Sequence, residues 1–188
     1  MSTKAAFLDR DGVINQKAPE GAYITRWEDV KFLPGVIEGI SQLHHAGWQV
    51  IIISNQRCVA KGLISIPELE ALHQRMRDWL FERGAVINAI YYCPHEKTVP
   101  PCDCRKPEPG MLLQAAREHN IDIADSWMIG DSPSDIEAGR RAGCKTLHIV
   151  APGKQPDQTA DLLATSLLDA ASQILRSREV LAPQDNRL

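Results

Sequence analysis

Short apolar runs alternate with amphipathic segments along this chain of 188 residues. The runs are continuous and rich in β-branched residues, which is typical of strands buried on both faces of a parallel sheet. They cover residues 5–8, 49–54, 89–93, 126–129 and 145–150. The apolar spacing between them predicts helices over 34–46, 65–83, 111–119, 133–142 and the second half of 161–178. Alternating strands and helices predict an α/β fold with right-handed crossovers.

The composition is that of an ordinary globular protein, with 44% hydrophobic and 24% charged residues. We expect a single domain over 1–178 and a flexible tail over 179–188. The net charge of −3 and the absence of a Lys/Arg block argue against a nucleic-acid partner. The apolar runs are shorter than the ~20 residues that span a bilayer, and the apolar part of the first residues is shorter than we expect of a secretory signal. A cytoplasmic monomer without a membrane partner is therefore expected.

Polar residues follow the predicted strands at one edge of the predicted sheet. Asp9 and Asp11 follow the first strand, Ser54-Asn55-Gln56 closes the second, and Asp131 follows the fourth. Ligands of such sheets bind beyond the carboxyl ends of the strands. Each aspartate alone could equally be a helix cap or a turn residue, but converging carboxylates repel one another unless a cation lies between them. Mg²⁺ takes such oxygen ligands and also binds phosphate, so the sequence predicts a magnesium site.

Three of the five cysteines lie within twelve residues of one another. With one histidine they form a closed ligand set for structural Zn²⁺, which consists of Cys93, His95, Cys102 and Cys104. The alternative is that these cysteines are small buried hydrophobes and the histidine is a surface residue. Prolines in the segment indicate a loop, where cysteines have no core to fill. Cys144 precedes a strand and should be buried, whereas Cys58 lies near the predicted site.

Four motifs between residues 9 and 135 resemble those of the haloacid dehalogenase (HAD) superfamily, in its phosphatase branch. They are DRDGVIN at 9–15, the strand-end Ser54-Asn55, Lys106 within CRKP, and GDSPSD at 130–135. In addition, YYCPH and CDCRKP are similar to the zinc loop of the HAD subgroup that contains D-glycero-D-manno-heptose 1,7-bisphosphate 7-phosphatases and histidinol-phosphate phosphatases. The resemblance implies a three-layer Rossmann-like fold with a central parallel sheet and a zinc-binding loop. The connections after the first two strands are too short for a cap domain.

The resemblance also implies that the chain hydrolyses a phosphomonoester through an aspartyl-phosphate. Asp9 would be the nucleophile, and Asp11 the general acid and base. Ser54 and Lys106 would bind the phosphate oxygens. The ligands of Mg²⁺ would be the carboxylates of Asp9 and Asp131 and the backbone carbonyl of Asp11, with Asp135 in support.

Two segments, FLPGVIEGI and PGMLLQAAREHNID, look more like the heptose members of this subgroup than the histidinol members. The expected partner is thus a small phosphorylated metabolite. The leading candidate is a heptose bisphosphate of lipopolysaccharide precursor synthesis. Histidinol phosphate or another small sugar phosphate is the alternative. A polynucleotide 3′-phosphatase is disfavoured because the chain is acidic. A non-catalytic binding module is disfavoured because the nucleophile and the lysine are both present.

Without a cap, loop side chains would select the substrate, and the candidates are Tyr23, Asn55, Gln56, Arg57 and Arg105. Tyr23 and Arg57 could equally be surface residues. Arg105 adjoins a zinc ligand and Lys106, and a guanidinium can bind a second phosphate bidentately. Two departures from the heptose pattern are the stretch 57–62 and Ser132, where some heptose enzymes carry a lysine. Arg57 is the candidate replacement for that lysine.

Overall fold

The computed structural model of the protein describes residues 3–96 and 102–179. Its strands are β1 (Lys4–Leu8), β2 (Trp48–Asn55), β3 (Ala89–Cys93), β4 (Trp127–Gly130), β5 (Lys145–Ile149) and β6 (Leu162–Ala164). Its helices are α1 (Val36–His45), α2 (Ile66–Phe81), α3 (Gly110–Glu118), α4 (Pro133–Ala142) and α5 (Leu167–Glu179). In these ranges the strands form one parallel sheet in the order β3-β2-β1-β4-β5-β6. The predicted α/β fold is confirmed.

Alternate residues of the central strands face two different core layers. In β1, Ala6 and Leu8 pack in the layer that contains α1, α2 and α5. Ala5 and Phe7 pack in the layer that contains α3 and α4. All four side chains are fully buried. Helices therefore cover both faces of the sheet, which explains why the apolar runs are continuous rather than alternating.

The carboxyl ends of the central strands lie at one level. Leu8 of β1 pairs with Ile52 of β2 on one side and with Ile129 of β4 on the other. The backbone N–H of Asp9 continues this ladder and donates to the carbonyl of Ile129 at 2.9 Å. The strand order reverses at β1, and the polar residues that follow these strands consequently face the crevice where α/β sheets bind ligands.

Each of the five predicted strands is present, with bounds that differ by at most one residue at either end. The sequence does not predict β6, because three residues at a sheet edge give too little apolar signal. Asp161 holds this strand in place. Its Oδ2 accepts from the backbone N–H and the hydroxyl of Thr146 at 2.7 and 2.9 Å.

In the described ranges the connection from β1 to α1 holds one short 3-10 turn (Trp27–Asp29), and the connection from β2 to α2 spans only 56–65. Neither carries a cap domain. None of the helices in these ranges is long and apolar enough to cross a bilayer. The predicted tail, 179–188, lies outside the described residues apart from Glu179, so the domain boundary stays a prediction.

Candidate active site

Three carboxylates meet at the edge of the sheet where β1 and β4 end. Asp9 follows β1, Asp131 follows β4, and Asp135 lies in the first turn of α4. One oxygen from each of the three lies within 4.8 Å of the others. Asp9 and Asp135 are buried, and Asp131 is partly buried. These three residues, called the acid cluster below, include both carboxylates that the sequence predicts as magnesium ligands.

Lys106 forms ion pairs with two members of the acid cluster. Its Nζ donates to Asp9 Oδ1 at 2.6 Å and to the carbonyl of Ile53 at 2.7 Å, and lies 2.7 Å from Asp135 Oδ1. The Asn55 side chain pairs with both backbone groups of Lys106, each at 3.1 Å. Burial alone would lower the pKa of Lys106, but the charges of Asp135 and Asp9 outweigh it and raise the pKa. The ammonium group therefore stays charged at the centre of the site.

Lys17 neutralises the third member. Its Nζ lies 2.7 Å from Asp131 Oδ2. Burial raises the pKa of Asp131, and the hydrogen bond and charge of Lys17 oppose this rise. The sequence does not predict Lys17, because it lies in a loop outside every motif. The structure thus places an additional cation, Lys17, beside Asp131.

Asp9 combines burial with a short ionic contact. Burial raises the pKa of Asp9 to about 7, with help from the charges of Asp135 and Asp11 and against the charge of Lys106. A divalent cation beside this carboxylate would stabilise its ionised form and lower that pKa. An ionised carboxylate is the form that can act as a nucleophile.

Asp11 lies apart from the acid cluster. Its Oδ1 accepts from Asn15 Nδ2 at 2.8 Å, and its Oδ2 accepts from Arg10 Nη2 at 2.9 Å and from Gln56 Nε2 at 3.1 Å. Burial disfavours ionisation of Asp11, but Arg10 and these hydrogen bonds outweigh it and lower the pKa. Arg10 is fully buried, and its Nη1 lies 3.0 Å from His73 Nε2. Burial and the charge of Arg10 lower the pKa of His73 to about 3, so His73 is a neutral acceptor.

Ser54 is connected to Asp11 through one amide group. Gln56 Nε2 donates to the Ser54 hydroxyl at 2.7 Å as well as to Asp11. The proton of the Ser54 hydroxyl is thereby left to donate to a bound phosphate. Cys58 supports Gln56 from behind, because its thiol donates to Gln56 Oε1 at 3.5 Å. Burial raises the pKa of Cys58, and its side chain is fully enclosed.

Two glycines let the carboxylates approach the backbone. Gly12 has φ +105°, and a Cβ atom there would lie 2.1 Å from Asp131 Oδ2. A Cβ atom on Gly130 would lie 2.2 Å from the Cβ of Asp135. A side chain at either position would displace the acid cluster, which explains glycine at both.

The acid cluster has the donor set that Mg²⁺ prefers, which is a small number of carboxylate oxygens with room for water and phosphate. Asp131 Oδ1 is buried and has no hydrogen-bond partner in the part of the chain that the structure describes. Such an oxygen is costly to bury unless a cation lies beside it. Asp135 Oδ2 instead accepts from the backbone N–H and hydroxyl of Ser132, and its Oδ1 contacts Lys106. These contacts favour a supporting position for Asp135.

The second candidate metal site, called the cysteine cluster below, consists of Cys93, His95, Cys102 and Cys104. The Cys93 sulfur lies 3.6 Å from that of Cys102 and 3.2 Å from that of Cys104. His95 Nδ1 lies 3.5 Å from the Cys93 sulfur and 3.2 Å from the Cys104 sulfur. Tetrahedral Zn²⁺ with ordinary bond lengths separates its ligand atoms by about 3.5–3.8 Å, close to these values. The four residues fit Zn²⁺ and leave no coordination position for a catalytic water.

Some of the remaining predicted residues line a cavity beside the site, and others have partners elsewhere. Tyr23, Asn55 and Gln56 line a cavity of about 270 Å³ next to Asp11, together with Lys17. Arg57 instead donates through Nε to Glu96 Oε2 at 2.6 Å. Arg105 donates through Nη1 to the carbonyl of His95 at 3.1 Å, which ties it to the cysteine cluster. Cys144 is buried beside α3 and α4, as predicted.

Comparisons with known proteins agree with this geometry. A HAD-hydrolase-like family model matches residues 103–170. The chain is 37% identical to the D-glycero-beta-D-manno-heptose-1,7-bisphosphate 7-phosphatase of Pseudomonas aeruginosa, over 94% of this chain and 100% of that protein. It is 40% identical to the D-glycero-alpha-D-manno-heptose-1,7-bisphosphate 7-phosphatase of Photorhabdus laumondii, over 85% of this chain and 90% of that one.

A solved structure is similar over nearly the same length. The D,D-heptose 1,7-bisphosphate phosphatase from B. bronchiseptica, complexed with magnesium and phosphate, matches with a TM-score of 0.83 at 32% identity. The match covers 93% of this chain and 99% of that one. The sheet, the acid cluster and these similarities define a phosphatase of the HAD superfamily. Within that superfamily, the chain belongs to the family of the D-glycero-D-manno-heptose-1,7-bisphosphate 7-phosphatases. The family and enzyme class expected from the four motifs are thus confirmed.

Proposed function

We propose that this protein uses Mg²⁺ to remove the 7-phosphate of D-glycero-D-manno-heptose 1,7-bisphosphate. The observation that carries the proposal is the contact of a buried Asp9 with Lys106, beside the unpaired oxygen of Asp131. In addition, the relatives of this chain are named as heptose-1,7-bisphosphate 7-phosphatases. The sugar is supported by this similarity, and the chemistry by the contacts of the site.

The first step is attack by Asp9 on phosphorus. Asp9 Oδ1 accepts from Lys106, which leaves the other carboxylate oxygen to form the new O–P bond. The bond from phosphorus to the sugar oxygen breaks, and Asp11 gives its proton to that oxygen. The Ser54 hydroxyl donates to an equatorial phosphate oxygen, and the charge of Lys106 stabilises the negative charge that develops on these oxygens. The products of this step are the sugar with a free hydroxyl group and an aspartyl-phosphate on Asp9.

The second step reverses the proton transfer. Asp11, now ionised, takes a proton from water, and the resulting hydroxide attacks phosphorus. The bond to Asp9 breaks, and inorganic phosphate is released. The lowered pKa of Asp11 keeps the carboxyl ionised, which is the form that can accept a proton. The acid role follows from the substrate, because a phosphate dianion bound beside Asp11 raises the pKa of that carboxyl.

The two metals have different tasks in this proposal. Asp9, Asp131 and the backbone carbonyl of Asp11 would hold Mg²⁺, which supplies charge stabilisation at the phosphate oxygens. The cysteine cluster would hold Zn²⁺ as a structural ion. Cys104 is followed directly by Arg105 and Lys106, so an ordered cluster fixes the two cations nearest to it in the sequence.

The proposal is tested by phosphate release from purified protein with Mg²⁺. The substrates are both anomers of the heptose bisphosphate, fructose 1,6-bisphosphate, histidinol phosphate and a 3′-phosphorylated oligonucleotide. We expect kcat/KM for one heptose anomer to exceed that for the other classes by about 100-fold or more, since a site built to bind the sugar's polar groups rejects compounds that lack them. The named relatives include both anomers, so the preferred anomer is read from the assay. A higher kcat/KM for histidinol phosphate would contradict the proposal.

A further inference from the structure

Lys17 lies where the acid cluster borders the protein surface. Its Nζ is 2.7 Å from Asp131 Oδ2, and its side chain is 50% exposed. It lines the cavity of about 270 Å³ that also contains Asp11. It lines a second cavity of about 470 Å³, which contains Asp131 and His148. One ammonium group therefore adjoins both a candidate metal ligand and the space available to a substrate.

The two lysines of the site are held differently. The Lys106 side chain is 2% exposed and is fixed by two carboxylates and one carbonyl. Lys17, in the part of the chain that the structure describes, has one ion pair, to Asp131, and lies in a loop. A lysine side chain is a flexible four-carbon stem, so its ammonium can move by several ångströms without a change of backbone. Lys17 can change its partner, whereas Lys106 is enclosed.

Lys17 and Mg²⁺ would compete for Asp131. Both are cations, and they repel each other strongly at the short distances that a shared carboxylate imposes. A bound phosphate dianion favours displacement of Lys17 from Asp131, because it offers the ammonium a more highly charged partner. Lys17 and Asp131 both pack closely against Gly12. A Cβ atom on Gly12 would lie 2.8 Å from the Cε of Lys17 and 2.1 Å from Asp131 Oδ2.

We propose that Lys17 exchanges partners during the reaction. It pairs with Asp131 until Mg²⁺ binds there, and then it moves into the adjoining cavity and binds the phosphate of the substrate. The proposal rests on the proposed phosphatase function but not on the sugar, because every phosphorylated metabolite presents this group. It gives Lys17 two effects of opposite sign, against Mg²⁺ and for phosphate.

Lys17→Met tests both effects without turnover, by isothermal titration calorimetry. We expect Mg²⁺ to bind about tenfold more tightly, because the competing cation is gone, and inorganic phosphate at saturating Mg²⁺ to bind about tenfold more weakly. Lys31→Met is the matched control. It removes the same charge from an exposed position that lines a neighbouring cavity, and it should leave both dissociation constants within twofold of wild type.

An unchanged affinity for Mg²⁺ in Lys17→Met would overturn the proposal, and so would an unchanged affinity for phosphate. Weaker binding of both ligands would overturn it too, because that result indicates a lysine that merely maintains the local structure. The outcome is independent of the heptose. If the folded wild-type protein binds Mg²⁺ and phosphate but hydrolyses no heptose bisphosphate, the proposed substrate fails while the result for Lys17 stands.

Discussion

The acid cluster and the cysteine cluster are both candidate metal sites, and they are assembled in different ways. The acid cluster takes two of its three carboxylates from the ends of neighbouring central strands, and Lys106 and Lys17 offset most of its charge. The cysteine cluster takes one thiol, Cys93, from the end of an outer strand and its other three ligands from the loop that follows. The described contacts of its ligand atoms run mainly within the cluster.

This difference predicts that one metal serves the chemistry and the other the stability of the protein. The sheet and the lysines hold the carboxylates together, so Mg²⁺ is needed for chemistry more than for structure. Three thiolates and an imidazole gain little from each other, so Zn²⁺ supplies the free energy that orders the loop. Breaking either cluster should therefore damage a different property of the protein.

The largest effect is expected from Asp9→Asn, which keeps the size of the side chain but removes the nucleophile. We expect kcat to fall by about 10⁴-fold or more. The melting temperature should change by less than about 5 °C, because Lys106 keeps its contact with Asp135. Asp29→Asn, at an acid that pairs with Arg26 on the surface, is the control and should keep the wild-type rate. Wild-type turnover in folded Asp9→Asn would exclude Asp9 as the nucleophile.

Cys102→Ser should damage stability first. Structural Zn²⁺ binds small domains with about 10–16 kcal/mol, so losing one ligand should reduce the zinc content well below one per chain and lower the melting temperature by roughly 10 °C. Activity should fall as well, because the loop carries Lys106. The control is Cys144→Ser, a buried cysteine outside the cluster, which should keep its zinc even if it lowers stability. A full zinc content in folded Cys102→Ser would refute the ligand set.

Removal of each metal from the wild-type protein tests whether the two clusters contribute differently to stability. Dialysis against Mg²⁺-free buffer should abolish turnover and shift the melting temperature by less than about 3 °C, because two lysines already offset most of the negative charge of the acid cluster. Extraction of Zn²⁺ with a strong chelator, followed by addition of Mg²⁺, should reproduce the lower stability of Cys102→Ser. Equal losses of melting temperature in the two treatments would show that the two sites are not built differently.

The smallest effect concerns His73, which belongs to neither cluster. Its folded-state pKa is lowered to about 3 from an ordinary 6.5, mainly by burial and then by Arg10. Between these pH values the unfolded chain binds the additional proton, so stability falls as the pH drops below about 6.5. His73→Gln keeps an acceptor for Arg10 and cannot titrate. The fall in melting temperature from pH 7.5 to pH 5 should therefore be about 2–5 °C smaller in His73→Gln than in wild type. An equal fall in both proteins would disprove the contribution of His73.

The parts of the site that follow strand ends are predictable from the sequence. A buried apolar run that ends in aspartate fixes the residue at the sheet edge, so the positions of Asp9 and Asp131 follow from the sequence alone. The cysteine cluster is predictable too, because its four ligands lie within twelve residues of one another. In each case the structure brings together the residues that the sequence predicts to lie together.

Residues whose partners are distant in the sequence could not be predicted. Arg10 contacts His73, which lies 63 residues later in the sequence. Nothing in the sequence around either residue indicates that contact. Lys17 reaches Asp131 only through the path of its loop. Arg57 pairs with Glu96 across 39 positions, and the sequence around Arg57 does not indicate that partner. Its role beside the substrate stays a prediction. The short edge strand β6 is missed for another reason, since three residues carry too little apolar pattern to predict a strand.

The central position of β1 has a consequence for biosynthesis. This strand is made early, but its neighbour β4 is made only after β2 and β3. Ribosomes add roughly 5–20 residues per second, so about 6–25 s pass between the synthesis of Asp9 and that of Asp131. During this time one edge of β1 lacks its final partner. A nascent chain already carries the aspartate that we propose as nucleophile but still lacks the Asp131 carboxylate, which we propose as a metal ligand. We therefore expect hydrolysis to begin only when translation has passed β4.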